Sequence, residues 1–150
     1  MGTDGRCRTD GGESAVEFAL AVPVLVLLFL ATVEFGRMFY INIQVANAAR
    51  AGVQYGALSI INANDNTGMQ NAAISDAPNV TGLTATASHY CVCSGGSSSP
   101  NCSITDCAAG SRLQVYVQVT TSAPFHTLTS FASIVLPSTL TGNAVMRVSQ

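Results

Sequence analysis

The chain has 150 residues, 48% of them hydrophobic and only 9% charged, with a formal net charge of -2. All six basic residues are arginine, so neither the basic surface of a nucleic-acid binder nor an acidic tail is present. Length predicts one domain, and a leader plus a membrane helix leave roughly 90 residues for a soluble part with one small core.

The first twelve residues form a short leader with Arg6 and Arg8. They precede GESAVEFALAVPVLVLLFLATV, residues 12–33, in which Glu17 stands at the mouth of a run without charge until Glu34. A carboxylate at the edge of a membrane-length apolar segment is costly unless something pairs with it. A cut after Gly12 would make Glu17 the fifth residue of the mature chain and create an amine as its partner. At about 1.5 Å per residue the run Phe18–Val33 spans roughly 24 Å, short of the ~30 Å hydrocarbon core. The flanking turns, Glu13 to Glu17 and Glu34 to Tyr40, complete the crossing by snorkelling and aromatic anchoring. A secretory signal is the competing reading, but Ala31-Thr32-Val33-Glu34-Phe35 offers no A-x-A cleavage site. The leader arginines keep the amino end cytoplasmic, and the bulk of the chain faces outward.

Pro23 cannot donate to the carbonyl of Ala19, so a kink or an opened turn is expected there, either as ordinary membrane-helix tolerance or as a flexible point. Glu34 and Arg37 are three apart and can pair on one helix face at the outer membrane boundary. That pair is read as structural, with a contact to a neighbouring subunit or lipid headgroup as the alternative. From Arg37 to Leu58 there is no Pro, and Ala, Gln, Arg and Met predict that the helix continues as a stalk. Ala46, Ala49, Val53 and Ala57, with Val45, Ala48 and Gly52, form a small-residue face suited to close approach of the chain's own sheet or of another helix.

The basic leader, Gly12, four residues, Glu17-Phe18 and an apolar helix resemble a type IV prepilin signal in its Tad/Flp form. With Ser14-Ala15-Val16-Glu17-Phe18-Ala19-Leu20, Pro23, Glu34-Phe35-Gly36-Arg37 and Asn47-Ala48-Ala49-Arg50-Ala51-Gly52, residues 12 to 57 resemble the TadE-like family, minor pseudopilins of the Flp pilus machinery. The resemblance implies cleavage between Gly12 and Glu13 by a prepilin peptidase, and assembly through Glu17 and Phe18. The implied partners are other pilin or pseudopilin subunits, the inner-membrane assembly platform and membrane lipid. The implied location is the inner membrane, single-pass, with the carboxyl-terminal domain periplasmic or extracellular, held there or built into the pilus. Glu13, as first mature residue, would set a second carboxylate beside the amine that Glu17 engages.

From Ile61 the composition predicts a loop, then a short helix from Thr67 to Asp76 that Ala77-Pro78 ends. Leu113, Val115, Val117 and Val119 alternate with Gln114, Tyr116, Gln118 and Thr120, which predicts a central strand. Weaker alternation at Leu83–Val92 and Leu140–Val148 completes a small antiparallel sheet of three strands on the stalk helix, an α+β fold. The expected organisation is a leader over 1–12, a transmembrane and stalk helix over 13–60, and an exported disulfide-containing domain over 61–150.

Cys7 belongs to the reducing side, whereas Cys91, Cys93, Cys102 and Cys107 form an even set in the exported part and predict two disulfides. These would hold the loop Ser94–Pro100, whose Gly/Ser composition reads as flexible. Zinc is the rival, disfavoured because Cys-x-Cys and Cys-x4-Cys depart from knuckle spacing. Cys91 and Cys93 lie roughly 6.5 Å apart on one strand with divergent geometry, so each should reach the 102–107 segment. Loop-closure entropy favours the nested pattern, Cys93 with Cys102 and Cys91 with Cys107.

No catalytic constellation emerges. His89 and His126 are the only histidines, and Asp65, Asp76 and Asp106 lie singly where turn or cap roles suffice. Gly95-Gly96 lacks the context of a phosphate loop. No cofactor, metal or small-molecule substrate is expected. A minor pseudopilin is the preferred reading, an uncleaved single-pass anchored binding or adhesion module the alternative, and a tethered enzyme the least supported.

Overall fold

The computed structural model describes residues 10–99, 101–130 and 132–149. Positions 1–9 of the expected leader, with Arg6, Cys7 and Arg8, lie outside the described residues. Helix α1 runs Asp10–Ala57, followed by α2 (Ile60–Asn64), α3 (Asn66–Asp76), and strands β1 (Thr84–Cys93), β2 (Ser98–Ser99), β3 (Leu113–Pro124) and β4 (Thr139–Arg147). The chain divides into two compact units, one up to Arg37 and one from Met38 onward, so the division falls inside α1.

The first unit carries the amino-terminal part of α1. Its large apolar side chains, among them Phe18, Leu25, Leu28 and Phe29, are exposed. This helix is long and apolar enough to cross a membrane, with a mean hydropathy of 2.5 over its most apolar window. Thr32 Oγ1 donates to the Leu28 carbonyl at 2.8 Å, which satisfies the one hydroxyl of the run within the helix.

The second unit is the α+β fold: an antiparallel sheet of order β2-β1-β3-β4, with the rest of α1 and the short α3 on one face. β3 is central, as its alternation predicts. Its register sets Val117 opposite His89 of β1 and Met146 of β4, and Val119 opposite Ala87 and Ala144. Val115, Val117, Val119, Thr121 and Ala123 point inward, and the residues between them face the other way. The core joins Val53 and Ala57 of α1, Met69 and Ala73 of α3, and the β3 valines. The small-residue face of α1 therefore packs on the chain's own sheet: Val45, Ala48, Ala49 and Val53 are buried. The approach is close enough that a Cβ on Gly142 would lie 2.7 Å from the Val45 carbonyl oxygen and 2.9 Å from Ala46 Cα. Thr121 Oγ1, wholly buried, donates to that same Val45 carbonyl at 2.7 Å.

Two expectations need correction. The segment after Ile61 is not simply a loop, because α2 occupies Ile60–Asn64. Ser59 caps it by accepting from the Asn62 amide, and Asn62 Nδ2 donates to the Tyr55 carbonyl, so polar side chains replace water as partners of the backbone at the α1–α2 junction. The Gly/Ser loop after Cys93 is not unstructured either. Cys93 N donates to the Ser97 carbonyl at 2.8 Å, Gly96 takes φ +86°, and β2 pairs Cys91 with Ser99, adding a short fourth strand to the three expected. Ladder bonds order what composition leaves free.

Candidate functional site: the amino-terminal helix and the disulfide loop

Gly12, Glu17, Phe18 and Pro23 all lie on the exposed first part of α1. Gly12 sits in the first helical turn, and a Cβ added there meets nothing within 4 Å. The Gly12–Glu13 bond belongs to α1, while the Glu13 side chain lies outside what is described. Among the described residues Glu17 has no hydrogen bond or ion pair, and both it and Phe18 project outward. α1 continues on both sides of Pro23, whose missing N–H leaves the Ala19 carbonyl without its intrahelical donor. A carboxylate one residue from an exposed phenylalanine, at the start of an uncovered apolar helix, can pair only with groups brought by another molecule or by the chain's own amino end.

Glu34 and Arg37 differ from these. Arg37 Nη1 lies 3.5 Å from Glu34 Oε2, and the Glu34 side chain is only 4% exposed, against 38% for Arg37. A withdrawn carboxylate depends on its partner far more than a solvated one, because losing the guanidinium would leave a charge away from water.

The four cysteines of the second unit form two disulfides, Cys91–Cys102 and Cys93–Cys107, with Cα separations of 5.1 and 5.5 Å. The nested connectivity expected from loop entropy is thus overturned by a crossed one. The reason is the hairpin. Pairing of Cys91 with Ser99 returns the chain alongside β1, and Cys102, with φ 52° and its amide bonded to the Ser99 carbonyl, turns directly onto Cys91. Ser99 Oγ then accepts from the Ser103 amide and donates toward Asp106, holding the 3-10 turn Ile104–Asp106 that delivers Cys107 to Cys93. Entropy ranks loops of a free chain, and this one is already folded.

Beside Cys91–Cys102 lies a cleft of about 390 Å³ whose polar lining includes Asn64, His89, Ser99 and Asn101. His89 Nδ1 is buried there without a hydrogen-bond partner among the described residues. Sequence spacing gave no hint of this grouping, since its members come from α2, β1 and the disulfide loop. The lining carries no carboxylate. Asp65, one of the isolated acids, caps α3 by accepting from the Gly68 amide and also receives the Tyr55 hydroxyl at 3.0 Å.

These features define a class: an α+β protein whose one long apolar helix could span a membrane and whose small domain is closed by two disulfides. The model of the family described as TadE-like protein matches residues 12–54, less than half of the chain, and over that segment the chain is similar to that family. The resemblance carried by Gly12, Glu17-Phe18, Pro23 and Asn47–Gly52 is borne out there, and it points to a role connected with the Tad pilus. No curated protein and no solved structure matches the chain.

Proposed function

We propose that the protein is a minor pseudopilin of a Tad/Flp-type pilus, cut after Gly12 by a prepilin peptidase and assembled through α1 with pilin or pseudopilin subunits at the inner-membrane platform. The observation that carries this reading is the coincidence of the TadE-like match with a helix whose apolar side chains are exposed in the isolated chain. Such a surface needs lipid before assembly and neighbouring helices after it. Glu17 serves as the charge that aligns a subunit with an amino terminus in low dielectric, where a single pair is decisive for register. The disulfides brace a thin domain on the oxidising side. The role proposed is structural, on the strength of the TadE-like match over the helix.

Amino-terminal mass spectrometry of the membrane-extracted protein tests the processing step. The mature chain should begin at Glu13, and Gly12→Val should abolish the cut. Because the space around Gly12 is open, that block would arise at the peptidase and not from misfolding. A chain that keeps Met1 or Gly2 in a strain with a working peptidase would reject the pseudopilin reading in favour of a permanent anchor.

A further inference from the structure

We propose that the β3–β4 loop, through its described residues 125–130 and 132–138, is a membrane-interface foot that inserts Leu128, Ile134 and Val135 into the headgroup region of the bilayer that α1 crosses. The proposal rests on the anchored reading above and adds a second point of contact.

Position comes first. Within the second unit, Gly56 of α1 faces Val117, Gly52 faces Val119, and the Val45 carbonyl accepts from Thr121. As β3 advances, its partners on α1 therefore step back toward Met38. The four residues from Thr121 to Phe125 carry the strand roughly 13 Å further. The seven helical residues from Val45 back to Met38 cover about 10 Å. The loop thus stands at the end where the chain enters the unit, and only Glu34-Phe35-Gly36-Arg37 separate Met38 from the apolar run.

Its chemistry fits an interface. Between Arg112 and Arg147 the sequence contains no Asp, Glu, Lys or Arg, and His126 is the loop's one ionisable side chain. Ile134 is 80% exposed, Val135 68% and Leu128 66%. Chain entropy does not dissolve this surface, because the loop is closed at its neck by Phe125 N to the Ser138 carbonyl at 2.8 Å, with Phe125 itself buried. The backbone is also provided for. Ala132 N bonds the Thr129 carbonyl, Val135 N and Leu136 N bond the Ala132 carbonyl, and Ser133 Oγ bonds the Ser130 carbonyl. A segment that enters a poorly hydrated layer is favoured when its peptide groups bond internally, and the 3-10 turn at Ala132–Ile134 supplies part of that bonding. Exposed apolar residues also occur at the opposite end, at Leu58 and Ile61, so exposure alone does not mark the foot. Its place at the Met38 end does. Lipid is favoured over a second copy because, under the anchored reading, the Met38 end is the end of the unit tethered by the chain to the membrane helix.

The chain contains no tryptophan, so one introduced tryptophan is the sole reporter of its kind. Full-length Ile134→Trp, Phe29→Trp and Leu58→Trp variants, each in phosphatidylcholine vesicles with and without brominated acyl chains, separate the possibilities. Ile134→Trp should emit to the blue and lose roughly half its intensity to the brominated lipid, as expected of a side chain about 5–10 Å into the interface. Phe29→Trp should be quenched more strongly and Leu58→Trp not at all. Water-like, unquenched emission from Ile134→Trp, with Phe29→Trp quenched, overturns the foot and leaves the anchor standing. Blue but unquenched emission means that protein covers the loop, and it overturns the foot as well. Unquenched Phe29→Trp removes the anchored reading and this inference with it.

Discussion

The two parts of α1 are built from apolar residues and meet opposite surroundings. Up to Arg37 the large apolar side chains, Leu and Phe prominent among them, are exposed. From Met38 one face narrows to Val45, Ala48, Ala49, Gly52 and Val53, and that face is buried beneath β3 and β4. Hydrophobicity by itself does not distinguish the two. Side-chain size and its distribution around the helix do, because a sheet can approach a helix closely only where the side chains are small, whereas lipid accommodates bulk on all sides. Substitutions in the first part should accordingly change what the protein joins, and substitutions in the second part should change whether it folds.

The largest contrast is expected at Glu17. Glu17→Ala should eliminate pili while leaving the denaturation midpoint of the detergent-solubilised protein unchanged, because its side chain has no hydrogen bond or ion pair among the described residues. Electron microscopy and circular dichroism on the same variant check both halves of that statement. Normal pilus density from Glu17→Gln would show that ionisation is dispensable and would blur the division.

In the second unit, replacing Cys93 and Cys107 together with Ser should cost about 2–4 kcal/mol, since the bond constrains the unfolded chain. Non-reducing peptide mapping should meanwhile return the crossed pairs in the unmodified protein. Next comes Gly142→Ala, a change of one methyl. Its Cβ would press on the Val45 carbonyl and the Ala46 backbone, which cannot rotate away, so a loss of about 1–3 kcal/mol in chemical denaturation is expected. Thr121→Val is the mildest, at about 1 kcal/mol, because it deletes one buried hydrogen bond without opening a cavity. If Gly142→Ala and Thr121→Val left stability untouched, the contact of α1 with β4 and the end of β3 would not be part of the folded core.

Much of this arrangement is legible from residues close together in the chain. The period of two at Leu113–Val119 identified β3 and its inward face, yet it stopped short of Thr121–Pro124, where Thr-Ser-Ala-Pro carries no apolar alternation and the strand persists through pairing with β1 as far as Ser122 and with β4 to Pro124. α2 escaped notice for a similar reason: Asn-rich composition reads as loop until Ser59 and Asn62 are seen to bond the backbone. His89 gave no signal at all, because the residues around it are remote in sequence.

The arginines at positions 6 and 8, the isolated Glu17, the uncharged run to Glu34 and the TadE-like pattern were determined by the sequence alone, since each is a property of consecutive residues and requires no partner from elsewhere in the chain. Tertiary structure decided which face of α1 meets the sheet, how Cys91 and Cys93 choose between Cys102 and Cys107, and that Ile134 and Val135 come to the Met38 end of the unit. Those outcomes depend on strand register and on the close approach at Gly142 and Val45. Register is a relation between distant segments, fixed by how well their side chains pack and their backbone groups pair, and no local pattern encodes it.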